Sequence, residues 1–87
     1  MIILKGDVLI DRKTLRKFPV LDVIDGHVYM ELGYRRVKRA IGQIIKHQKK
    51  FIHLRVGETI PEDYAFYCPK AGKMIIIPKG TLFLGEL

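Results

Sequence analysis

The chain has 87 residues, of which 16 are Lys or Arg and 9 are Asp or Glu, giving a formal charge of +7. A chain of this length holds one small domain, read here as residues 1–87, and excludes a two-domain enzyme. Cys68 is the only cysteine, which excludes an intramolecular disulfide and a cysteine-rich zinc or iron–sulfur site, while 48% hydrophobic residues suit a folded chain.

In chain order, Ile2–Leu4 and Val8–Ile10 flank Lys5-Gly6-Asp7 and are expected to form a small hairpin. A stronger hairpin signal follows, where residues 20–24 and 27–32 flank Asp25-Gly26, a dipeptide suited to the positive φ angles of a type I′ turn. A two-residue loop sets Ile24 against His27, Val23 against Val28, Asp22 against Tyr29 and Leu21 against Met30, leaving Leu21, Val23, Val28 and Met30 on one apolar face.

Beyond Tyr34 the pattern changes. Val37, Ala40, Ile41, Ile44 and Ile45 follow the i, i+3, i+4, i+7, i+8 spacing of a helical stripe, so a helix is expected over about residues 34–50. Its opposite side collects Arg35, Arg36, Arg39, Gln43, Lys46, His47 and Lys50, with Lys38 and Lys49 along one flank. Gly42, at the side of this face, suits either close packing or the approach of something to the backbone.

Residues 51–56 alternate as a strand, and 57–63 read as a loop. Residues 64–67 and 74–77 read as strands around a Pro- and Gly-containing turn, and residues 81–84 as a last strand. The expected fold is α+β and mostly β: a small antiparallel sheet or barrel of six to eight short strands with one central amphipathic basic helix.

The charge is localised. Between residues 32 and 57 stand Arg35, Arg36, Lys38, Arg39, Lys46, Lys49, Lys50 and Arg55, with no acid among them. A row of cations at helical intervals can meet a row of phosphates and release their condensed counterions. The leading expectation is therefore a small non-enzymatic protein that binds DNA or RNA through Tyr34, Arg35, Arg36, Lys38, Arg39, Lys46, His47, Lys49, Lys50 and Arg55, with Tyr34 adding base stacking. The rival is a regulatory module docking the same face on an acidic protein surface, or a small virion or assembly component.

A membrane surface fits less well, because the compact Val/Ala/Ile stripe leads straight into a strand. His27, His47, His53 and Cys68 show no metal-ligand spacing. Glu58, Glu62 and Asp63 form a loose acidic cluster near His53 and Arg55, best read as solvated loop carboxylates. Neither a metal nor a cofactor is expected. No secretory signal pattern and no apolar run of ~20 residues stands out, so a cytoplasmic setting is expected. The apolar strand at 74–77 is also suited to pairing two copies about a two-fold axis.

Overall fold

The computed structural model describes residues 2–85 and shows a small mostly-β domain with seven antiparallel strands in two sheets and one short helix. Strands β1 (Val8–Asp11), β2 (Lys17–Ile24), β3 (His27–Leu32), β4 (Arg35–Ala40) and β5 (Phe51–Leu54) form a five-stranded sheet in the order β4-β3-β2-β1-β5. Strands β6 (Tyr64–Cys68) and β7 (Lys73–Ile77) pair separately as a ribbon. Helix α1 (Ile41–Lys46) and a 3-10 turn (Gln48–Lys50) join β4 to β5. None of the described helical segments is long and apolar enough to cross a membrane.

The β2–β3 hairpin follows its turn chemistry. Asp25 and Gly26 take φ values of 49° and 72°, and Ile24–His27, Val23–Val28 and Asp22–Tyr29 pair as the loop length requires. The register then shifts by one, so Val20 instead of Leu21 lies opposite Met30, and Val20 and Met30 are both buried. A bulge at Leu21 keeps Val20 and Val23 on the core side, which strict alternation would not do. Pro19 lies inside β2. The neighbouring Val20 amide donates toward β1, to the Asp7 carbonyl at 2.8 Å, so the Pro19 nitrogen faces the β3 side, where the ladder has already ended at Val20.

Strand β1 is the centre of the molecule. Its Val8, Leu9 and Ile10 are all buried, which requires apolar cover on both faces of the sheet. On one face Val8, Ile10, Ile52 and Leu54 pack with Ile60, Tyr64 and Phe83 beneath the β6–β7 ribbon. On the other, Leu9, Val20, Val28 and Met30 pack with Ile3 and with Ile44 of α1. Residues 2–4 do not form the expected hairpin arm: β1 pairs instead with β2 and β5, and Ile3 enters the second core as a single anchor. Residues 81–84 form no full strand either. They hold a Thr59–Leu82 bridge and place Phe83 in the first core.

The expected helix over 34–50 is corrected by the structure: Arg35–Ala40 is strand, and only Ile41–Lys46 is α-helical. Gly33 at φ 60° and Tyr34 make a two-residue turn, with glycine first as a type II′ turn needs, and the chain then pairs along β3 from Leu32–Arg35 to His27–Ala40. That ladder satisfies the outer backbone groups of β3, which a helix beginning at residue 34 would leave unpaired. The apolar spacing survives because Val37 faces the core by strand alternation while Ile41 and Ile44 do so by helical turn. Nothing lies within 4 Å of where a Gly42 Cβ would stand, so no packing explains that glycine.

Candidate nucleic-acid interface

The change from helix to strand redistributes the cations without hiding them. Tyr34, Arg35, Arg36, Lys38, Arg39, Lys46, His47, Lys49 and Lys50 are all exposed. Since β4 is an edge of the sheet and α1 crosses the face with Ile3, Leu9 and Val28 toward β5, this band runs from one edge of the sheet to the other.

Strand alternation divides β4 into two sides. Arg35 and Arg39 share a side with Val37, and thus with α1; Arg36 and Lys38 point to the opposite side with Tyr29. There the Arg36 guanidinium and the Lys38 ammonium each lie 5.9 Å from the Tyr29 ring centre, a weak cation–π arrangement on the outer surface. Lys46, Lys49 and Lys50 belong to α1 and the turn after it, on the Arg39 side. Five cations, Arg35, Arg39, Lys46, Lys49 and Lys50, therefore stand over one face. Among the described residues none of these five, nor Arg36 or Lys38, forms an ion pair.

Between β4, α1 and the start of β5 lies a cleft of about 480 Å³. Its floor is Phe18, Met30, Leu32, Val37, Ile44 and Phe51, and its rim is Arg39, Gln43, His47, Lys50 and Asp11. Phe18 and Phe51 meet edge to face with centroids 6.3 Å apart. Asp11 Oδ1 accepts the amides of Lys13 at 2.8 Å and Thr14 at 3.0 Å. These amides, with Thr14 first, and the nearby Lys50 charge hold the Asp11 carboxyl below its ordinary range. At the β3–β4 tip the Tyr34 ring stands wholly in solvent, and nothing in the fold accounts for an aromatic side chain there.

Arg55 lies apart from this band. Past the end of β5, its Nε and Nη2 donate to the two oxygens of Asp7 at 3.2 and 3.0 Å, and Nη2 also donates to the Ile2 carbonyl at 2.6 Å. The Asp7 carboxylate further accepts the Leu4 amide at 2.9 Å and His53 Nε2 at 2.6 Å. Burial alone raises the Asp7 carboxyl, but Arg55, the Leu4 amide and His53 outweigh it and hold the group below the ordinary carboxylate range. An ionised Asp7 only accepts, so His53 donates from Nε2. Arg55 is thus a fastener for the amino-terminal segment, its own ionisation strengthened chiefly by Asp7.

This clasp is hidden in the sequence because Asp7 lies 46 residues from His53. The available signal was the i, i+2 placement of His53 and Arg55, which sends both side chains to one side of β5. The loop carboxylates do not converge. Glu62 pairs with Arg12, Asp63 accepts the Lys79 amide at 2.7 Å, and Glu58 lies 3.8 Å from Arg55.

Comparison of the chain with protein-family models, curated proteins and solved structures gives no match.

Proposed function

We propose that this is a nucleic-acid-binding protein whose contact surface is the cationic band formed by β4, α1 and the following 3-10 turn. The observation that carries this reading is the exposure of seven cations in one continuous stretch, Arg35 to Lys50, with no acid interleaved and no ion pair among the described residues. Unpaired cations held this close repel one another, and a polyanion relieves that repulsion while releasing its own counterions. Tyr34 at the hairpin tip adds a ring on which an exposed base can stack. The band does not resemble the core of a protein–protein interface, where Lys is depleted and charge is scarce.

Titration of labelled single-stranded and duplex oligonucleotides at ~50 mM salt tests this reading, with binding expected to weaken steeply as salt rises. Absence of binding to both probes would rule it out. Capture from a lysate divided into untreated and nuclease-treated halves separates this reading from docking on an acidic protein, since only a protein partner survives the nuclease.

A further inference from the structure

Resting on the nucleic-acid reading, we propose that the cleft beneath α1 receives an unpaired base, so that the protein is a single-strand binder. The band alone would suit any polyanion. The cleft adds something that phosphates cannot use: an apolar floor of Phe18, Met30, Leu32, Val37 and Phe51, open to solvent and bordered by Arg39, His47 and Lys50. A ligand that fits must combine a flat, largely apolar body with negative charge at its edge, and a nucleotide within a strand has that form.

The size is appropriate. About 480 Å³ lies within the ~300–1,000 Å³ of small-ligand sites and accommodates one nucleotide unit. The Phe18–Phe51 edge-to-face pair supplies an aromatic wall against which a base can lie. Asp11 and Gln43 on the rim bring hydrogen-bonding groups to the base edge. The Asp11 carboxylate repels phosphate, but it is already engaged by the Lys13 and Thr14 amides and by the Thr14 side chain. A carboxylate accepts more bonds than these, and its remaining lone pairs suit an exocyclic amino group. A duplex keeps its bases stacked and paired, so it reaches the cations but not the floor.

The test compares two strands of about twelve nucleotides, within the usual single-strand site size, one of deoxyadenosine and one abasic with the same number of phosphates. The wild-type protein is expected to prefer the strand with bases by about tenfold or more at low salt. Leu32→Lys places a cation on the half-buried cleft floor while raising the net charge. It is expected to abolish the preference while leaving abasic binding unchanged or stronger. Tyr34→Ala is expected to retain most of the preference.

Equal, salt-steep binding of both strands by the wild-type protein overturns the cleft proposal and leaves the cationic band standing. Loss of the preference in Tyr34→Ala together with its retention in Leu32→Lys also overturns it, assigning base contact to the hairpin tip. Failure to bind either strand or a duplex removes both readings. Should Leu32→Lys melt early, the wild-type strand comparison and Tyr34→Ala decide the matter.

Discussion

Replacing Arg35, Arg39, Lys46, Lys49 and Lys50 together with glutamine is expected to reduce nucleic-acid affinity by about 10³-fold or more near 100 mM salt, without lowering the melting temperature. Each phosphate contact contributes about 0.7 to 0.9 decades of affinity per decade of salt, so five contacts at one decade below molar salt amount to roughly 3.5–4.5 decades. Stability is expected to hold because all five side chains are exposed and the described residues pair none of them. Lys50 loses only its weak attraction for Asp11. Removing like charges from a crowded band offsets that loss. The control is Arg36→Gln with Lys38→Gln, which removes two cations from the Tyr29 side of β4 and is expected to cost less than about tenfold, a longer-range effect that salt screens. Filter binding and a thermal melt on the same preparations separate lost contact from lost fold.

The second large effect concerns the clasp. Asp7→Ala is expected to destabilise the protein by about 2–4 kcal/mol, since it removes an acceptor of four side-chain and backbone donors and leaves two basic groups without their partner. The estimate lies below that for a fully enclosed pair because Arg55 and His53 are partly exposed and water can reach them. For a domain of this size such a loss corresponds to a fall of roughly 10–25 °C in melting temperature. Ile3 adds to the effect: its place in the core depends on the flanking Ile2 carbonyl and Leu4 amide being held by Arg55 and Asp7. The sign with pH follows from the lowered Asp7 pKa. Its stabilisation is fully present above the ordinary carboxylate value of 3.8 and is lost as pH falls through the lower folded value. Asp11 contributes with the same sign. Asp7→Ala is therefore expected to flatten the acid side of the stability profile, and a steep fall in wild-type stability between pH 5 and 8 would contradict this assignment.

The mostly-β architecture was legible because turn chemistry is local. Asp25-Gly26 fixes a register that holds through Asp22–Tyr29, and the Pro and Gly positions locate the β6–β7 turn. The expected helix overruns the observed one because four-residue apolar spacing has two solutions here. Val37 and Ile41 read as one helical stripe, yet they bury just as well when one lies in the middle of a strand and the other begins a helix. The unpaired edge of β3 decides between them, and that edge becomes visible only once the sheet is assembled. Gly33-Tyr34 was the local sign of a hairpin. The bulge at Leu21 was hidden for a similar reason, since it reconciles β2 with neighbours on both sides.

Less of the candidate site is legible. The sequence shows that the cations from Arg35 to Lys50 are crowded without acids, but not whether another part of the chain covers them; the fold leaves Tyr34, Arg35, Arg36, Lys38, Arg39, Lys46, His47, Lys49 and Lys50 exposed. Their division between two sides of a strand also needs the assembled sheet, as does the pairing of Arg55 with Asp7 from the opposite end of the chain.

The salt dependence of binding by the wild-type chain measures how many of these cations meet phosphate. With the five band cations in contact on a single strand, log K against log salt is expected to fall with a slope of about −3.5. A slope shallower than about −1, or a slope unchanged when the five band residues are glutamine, would show that the cationic band is not the contact surface.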